Sequence, residues 1–250
     1  MDLTEYRMST PERARVSDLM ALLPKSGTSV LDVGARDGFI SRLLAGHFPI
    51  VTALDLELPS IDHERVQCVK GNIAALDFPD ASFDLVFCAE VLEHIPIDLL
   101  GTACRELARV SKEYVLIGVP YKQDIRVGRT TCGYCGKVNP PWGHVNTFTD
   151  VQLSRLFPAF SLVKESFVGQ TKSRTNALSS ALMDIAGNPY GTYSQDEPCV
   201  HCGKILTDPP ERTFLQKVAT KAAFFGVRTQ SLLVRPQPNW IHRLLKKEAT

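Results

Sequence analysis

From Thr28 to Pro120 the chain repeats a single alternation, and this constrains its fold more than any other feature. Each unit is a short run of β-branched and apolar residues, then a turn, then apolar residues at helical spacing. "TSVLDVG" opens the series, a glycine-containing turn follows, and Phe39, Ile40, Leu43 and Leu44 suit a helix packing on a sheet. "IVTALDLE", "RVQCVKG" and "FDLVFCAE" repeat the strand pattern. "EYVLIGVP" then follows a helix carrying Ile97, Leu100, Cys104 and Leu107. Strands of this kind alternating with helices imply an α/β, doubly wound, mostly parallel sheet covered on both faces.

Outside that stretch the rhythm loosens. Val16, Leu19, Met20 and Leu23 predict a helix over 11–23, ended by Pro24 and Gly27. Beyond Pro120 a loop rich in Gly, Pro and polar residues runs to about Asn146, too long for an ordinary connector. "FTDVQLSRLF" predicts a helix and "FSLVKESFV" a sixth strand, and a second irregular stretch reaches about Pro210. A helix with Phe214, Leu215, Val218, Ala222 and Phe225 leads to "QSLLVR", a plausible last strand. In the tail, "NWIHRLLKKEAT" predicts a short basic amphipathic helix with Trp240, Ile241, Leu244 and Leu245 on one face. We expect a single domain over 1–250, its core at about 25–120, with lid-like elaborations at 121–148 and 170–210 near the carboxyl ends of the later strands.

Charge narrows the partners. The 28 Lys and Arg nearly cancel the 27 Asp and Glu, so no global field recruits nucleic acid or an anionic membrane. No apolar run is long enough to span a bilayer, and Asp2, Glu5 and Glu12 do not suit a signal peptide. Seven cysteines, an odd number, agree with a reducing compartment, so the expected location is cytoplasmic. Cys68, Cys88 and Cys104 read as packing residues.

The loop in "VLDVGARDGF" suits a ligand without phosphate. Gly34 and Gly38 let the backbone turn tightly, and Asp32 supplies a negative charge before the turn. A dinucleotide fingerprint fails because Arg36 and Phe39 occupy its second and third glycine positions. Asp37, moreover, would repel a pyrophosphate at the helix start. S-adenosyl-L-methionine is such a phosphate-free ligand. Asp55, about twenty residues on, can accept both ribose hydroxyls, and the amide oxygen of Asn72 can accept from an adenine amine.

On these residues the chain resembles the class I methyltransferases, the group that includes ubiquinone-pathway enzymes. "VLDVGARDG" is similar to that family's first motif, "ALDLE" to the second, "GNIAALDFPDASFDLV" to the third, and "AEVLEHI" to the segment after it. The resemblance covers about Val30 to Pro120 and implies a Rossmann-like, seven-stranded sheet, to which the cysteine spacing adds a zinc-stapled insert. It also implies that Asp32, Gly34, Ala35 and Gly38 line the methionine and ribose portions of the cofactor. Asp55 with Leu56 would meet the ribose, Asn72 and Ile73 the adenine, and Ala89 and Glu90 the reacting end. Two departures stand out, Arg36 for a common glycine and Asn72 for a common aspartate.

"CGYCGK" and "CVHCGK" are near-duplicates, offering Cys132 and Cys135, and Cys199 and Cys202. Each turn can present two thiolates to one ion, and four make a closed structural zinc site without an open position for substrate. A redox pair is the competing reading, although neither unit opens a helix in a thioredoxin-like pattern. His201 or His144 could replace one sulfur.

Methyl transfer needs alignment above all, and a base only where the acceptor has a proton to lose. His94 in "LEHI" and His144 in "PPWGHVNTF", close to Trp142 and Phe148, are the candidate catalytic histidines, and Tyr121 a candidate substrate contact. The expected function is methyl transfer to oxygen or nitrogen of a small-molecule or glycan acceptor. The alternatives are an RNA methyltransferase, whose Arg126, Arg129, Lys137 and Lys204 track phosphates, and a non-catalytic cofactor-binding scaffold.

Overall fold

The computed structural model describes residues 3–209, 211–231 and 234–248. In chain order its elements are α1 (Leu3–Met8), α2 (Thr10–Leu22), β1 (Ser29–Val33), α3 (Phe39–Leu44), β2 (Ile50–Asp55), β3 (Val66–Lys70), β4 (Phe83–Ala89), α4 (Ile97–Val110) and β5 (Ser111–Pro120). There follow β6 (Thr130–Thr131), β7 (Val138–Asn139), α5 (Asp150–Leu156), β8 (Phe160–Val168), α6 (Ala177–Ile185), α7 (Phe214–Ser231) and β9 (Trp240–Lys247). They fall into two compact units. A sheet unit comprises Thr10–Tyr121, Phe148–Gly169 and Asn239–Thr250, and a cysteine-bearing unit comprises Met1–Ser9, Lys122–Thr147 and Gln170–Pro238.

The sheet unit is built on seven strands in the order β3-β2-β1-β4-β5-β9-β8. β1 to β5 run parallel, and β9 pairs antiparallel with both β5 and β8. The expected doubly wound seven-stranded sheet is therefore present. Alternate residues serve opposite faces. Leu31, Val33, Val86, Cys88, Val115 and Ile117 pack with Leu100, Cys104 and Leu107 of α4 on one side. Val30, Val51, Leu85, Phe87 and Leu116 pack with Leu19 and Leu22 of α2 on the other. Cys88 and Cys104 are fully buried, as packing residues should be, while Cys68 is half-buried. The order reverses at β1, which passes to β2 on one side and pairs β4 on the other, so the crevice beyond the carboxyl ends of β1 and β4 is the topological switch point where such sheets take ligands.

The tail departs from its expected helix: Trp240–Lys247 is β9, an interior strand. Ile241 and Leu245 join one core face and Leu244 the other, a period of two that a run of six mostly apolar residues does not distinguish from one helical stripe. The gap between β5 and β8 decides it, because both neighbours leave ladder groups that only a strand can satisfy. "QSLLVR" is not the last strand within the described residues. Gln230 and Ser231 end α7, and Leu232 and Leu233 lie outside the described residues.

In the cysteine-bearing unit, α6 occupies part of the stretch expected to be irregular. Asn176 caps it, its side chain accepting from the Ser179 N–H at 2.8 Å, and Gly187 follows its end. α6 packs along α7, and a small antiparallel ribbon joins β6 and β7.

Candidate functional site

The residues proposed from sequence for the methyl donor come together at the carboxyl ends of four adjacent parallel strands. Asp32 is on β1, Asp55 ends β2, Asn72 and Ile73 follow β3, and Ala89 and Glu90 close β4. The loop after β1 is tied down by its own backbone. The N–H groups of Gly34 and Ala35 both donate to the Leu54 carbonyl, at 2.8 and 3.1 Å, and the Gly38 N–H donates to Ala35 O at 2.8 Å. Gly34 sits at φ +81, and any Cβ there would meet Val91. Only glycine combines that conformation with that approach.

Asp32 is 2% exposed and accepts from the Ser41 hydroxyl at 2.6 Å. Burial pushes its pKa up to about 7, Ser41 opposing and the charge of Asp55 reinforcing the shift. Asp55 has one backbone donor on each oxygen: the Arg36 N–H on Oδ2 at 2.8 Å and the Leu56 N–H on Oδ1 at 2.7 Å. Its carboxylate is thereby held across the β1 loop with lone pairs to spare. The Leu56 side chain beside it is 65% exposed. Asn72 Oδ1 accepts from the Ala74 N–H at 2.9 Å, so the residue forms a turn with one acceptor site remaining, and Ile73 is buried.

At the end of β4, Glu90 takes the left-handed conformation, φ +57, and its N–H donates to Gly118 O at 2.9 Å. Its Oε2 accepts from the Trp240 indole at 3.1 Å while Oε1 is buried without a partner. Burial raises its pKa against the pull of Arg15. Glu93, which the sequence reading passed over, is fully buried with neither carboxyl oxygen hydrogen-bonded. Burial first and Glu90 second push its pKa well up. Its signal was the spacing, three residues after Glu90 in "AEVLEHI". His94 lies in the same 3₁₀ turn, Leu92–His94, and Tyr121 follows β5, its ring edge-on to Phe167 at 5.0 Å.

In the cysteine-bearing unit His144 is 9% exposed, with its Nδ1 2.7 Å from Gln123 Oε1 and its ring beside Trp142. The same unit brings all four expected cysteine ligands together. Their sulfurs lie within 4.8 Å of one another, with Cys132 to Cys202 at 3.7 Å and Cys135 to Cys199 at 3.8 Å. A tetrahedron with metal–sulfur bonds of about 2.3 Å has edges of about 3.8 Å, whereas a disulfide needs about 2.05 Å. The two knuckles are built alike. The Gly136 N–H donates to Cys132 O and the Cys132 N–H donates to Lys137 O, and Gly203, Cys199 and Lys204 repeat both bonds at 2.9 Å. Backbone N–H groups of Cys135 and Tyr134 draw the Cys132 thiol down to about 7. Cys202 accepts from the Lys204 N–H but is pushed up to about 11 by burial and the neighbouring sulfurs. His201 is turned to Val138 O at 3.0 Å and is not part of the sulfur cluster.

Comparison with known proteins agrees with the sheet unit's geometry. A family model described as "Methyltransferase domain" matches residues 31–116, the stretch that includes Asp32, Asp55, Asn72 and Glu90. An uncharacterized methyltransferase of Mycobacterium bovis is 32% identical over 84 residues, covering 31% of this chain and 43% of its own. The ubiquinone biosynthesis O-methyltransferase of Coxiella burnetii is 39% identical over 79 residues, 28% of this chain and 34% of its own. The chain thus spans less than half the length of these curated relatives. Among solved structures, the Burkholderia thailandensis 1,6-didemethyltoxoflavin-N1-methyltransferase, with its substrate and S-adenosylhomocysteine bound, superposes with TM-score 0.55 at 17% identity, over 98% of this chain and 81% of that one. The fold is the Rossmann-like fold of the class I methyltransferases. No helix among the described residues is long and apolar enough to cross a membrane.

Proposed function

We propose that this chain is an S-adenosyl-L-methionine-dependent methyltransferase acting on oxygen or nitrogen of a small-molecule or glycan acceptor. The observation that carries the reading is the acidic crevice at the switch point: Asp32, Asp55 and Glu90 end three adjacent strands around a glycine turn. The Asp55 carboxylate beside that turn opposes a pyrophosphate coenzyme, and the acceptor oxygens of all three acids suit a ligand rich in hydroxyl and amine donors. Asp55, fixed by two backbone donors, is the ribose acceptor. Asn72 and Ile73 would hold the adenine, Leu56 would border the nucleoside, and Gly34, Ala35 and Gly38 would let the methionine end approach the backbone.

When bound, the donor supplies a methyl group whose bond to sulfur breaks as the acceptor's lone pair forms the new bond, the electron pair passing to sulfur. The chain's part is to hold acceptor and donor in line and to keep water out. His94 and His144 are the groups proposed to take a proton from a protonated acceptor. In the cysteine-bearing unit, which we propose as an elaboration of one methyltransferase domain, Cys132, Cys135, Cys199 and Cys202 hold structural zinc. An RNA acceptor is the second reading. It is favoured by the thirteen Lys and Arg against eight Asp and Glu in the cysteine-bearing unit, while the whole chain is near balance.

Titration calorimetry with S-adenosylhomocysteine tests the proposal. The chain should bind it saturably and Asp55→Ala should bind at least about tenfold more weakly. Equal affinity in the variant removes the ribose assignment, and absence of binding in the parent removes the activity.

A further inference from the structure

The cysteine-bearing unit contains a pocket, of about 190 Å³, that belongs neither to the donor crevice nor to the sulfur cluster. Every residue lining it comes from this one unit. Four cations line it, Arg126, Arg129, Lys172 and Arg174, together with the aromatic Tyr190 and Phe224. Two of the cations are internally neutralised. Arg126 makes a forked pair with Asp124, at 2.7 and 2.9 Å, and Arg129 meets Asp184 at 3.1 Å. The other two are not. Among the described residues no carboxylate pairs with Lys172 or with Arg174, whose guanidinium donates to the neutral Gln237 amide. Two positive charges on a short segment, beside two more already committed, leave the pocket in want of an anion.

Two aromatic rings share the lining with these cations. Tyr190 and Phe224 stand edge to face, their centroids 5.2 Å apart, and are 62% and 47% exposed although both are large aromatics. A cavity on the order of 150 Å³ accommodates one benzene ring, so the volume here fits a single ring with a small charged substituent. A polynucleotide would instead need an open basic groove with repeated stacking surfaces.

We propose that this pocket binds a small molecule in which a phosphate or carboxylate is attached to an aromatic ring, the anion meeting Lys172 and Arg174 and the ring meeting Tyr190 and Phe224. The site is independent of the methyl donor and stands whether or not the chain transfers methyl groups.

Calorimetric titration of the full, zinc-loaded chain with phenyl phosphate, benzoate, inorganic phosphate and benzyl alcohol tests it. Phenyl phosphate or benzoate should bind saturably, and inorganic phosphate and neutral benzyl alcohol at least about tenfold more weakly. Arg174→Gln with Lys172→Gln should weaken the aromatic anion about tenfold or more, Arg174→Lys should retain most of it, and Phe224→Ala should erase its advantage over inorganic phosphate. S-adenosylhomocysteine affinity and zinc content, measured on each variant, report an intact fold. Hydrogen exchange over 170–191 should slow when phenyl phosphate is added to the unmutated chain. The idea fails if neither aromatic anion gives a saturable heat or exchange protection, or if the double glutamine variant binds them as the parent does.

Discussion

Gly34 lies so close to Val91 that a Cβ placed on it would stand 2.4 Å from Val91 Cγ2. The turn after β1 and the segment after β4 are therefore packed against each other across the switch point. Gly34→Ala should lower stability by roughly 1–3 kcal/mol, since it adds a clash to a residue at φ +81. Adding Val91→Ala should recover only the steric share, leaving the backbone strain. Urea unfolding of the parent and the two variants checks this, and full recovery in the double variant would show that φ contributes nothing.

Asp32 gives the site a pH dependence of predictable sign. Its folded pKa is raised to about 7 from an ordinary 3.8, so the buried carboxyl prefers its neutral form. The unfolded chain ionises near pH 4 and the folded one only near 7, hence this group makes the fold progressively less stable as pH rises through that window, with no further loss above it. Asp32→Asn removes the effect. Its stability relative to the parent should improve by an amount on the order of a few kcal/mol between pH 4 and pH 8, read from melting curves across that range. A constant difference at every pH would place the Asp32 ionisation elsewhere.

The cysteine centre predicts a metal stoichiometry. Protein prepared without chelators should contain about one zinc ion per chain by elemental analysis, and Cys135→Ser should lose most of it. Removing the ion should lower the melting temperature, because the binding energy of a structural zinc is folding energy for the segments it joins. Zinc-free protein with unchanged melting would leave the four thiols without a structural role.

How far the chain could be read in advance depended on how local each signal was. β1 to β5 were legible because each is a short apolar run whose neighbours are turn residues, and Leu31, Val33 and Val30 report their two faces by simple alternation. The cysteine pairs were legible because the two knuckles repeat one local hydrogen-bond pattern, and their meeting is a matter of duplicated chemistry. β9 was not, since Ile241, Leu244 and Leu245 satisfy a helical stripe as well as a strand, and only the vacant ladder between β5 and β8 selects the latter. α6 was hidden in a polar stretch whose cap, Asn176, was readable but whose apolar face is short. Lys172 and Arg174 carry no motif at all, and their lack of acidic partners emerges only when Asp124 and Asp184 are seen to be taken by Arg126 and Arg129.

The base of the sheet, at the amino ends of β1 and β4, offers a last test. Asp84, near the start of β4, reaches across to the chain entering β1: its Oδ2 accepts from the N–H and hydroxyl of Thr28, both at 2.8 Å, and from the Ser29 N–H at 3.1 Å, while Lys112 approaches Oδ1 at 3.2 Å. With the side chain 16% exposed, these donors, the Thr28 N–H foremost, hold its pKa far below the usual carboxylate range. For a depressed carboxylate the stabilisation is complete above the unfolded value near pH 4 and drains away as pH falls below it. Asp84→Ala should therefore cost about 1–3 kcal/mol at pH 7, through the stranded Thr28 and Ser29 donors. The gap between variant and parent should narrow steadily below pH 4 in urea titrations. A deficit that stays constant into acid would mean that the clasp works by shape alone, without its charge.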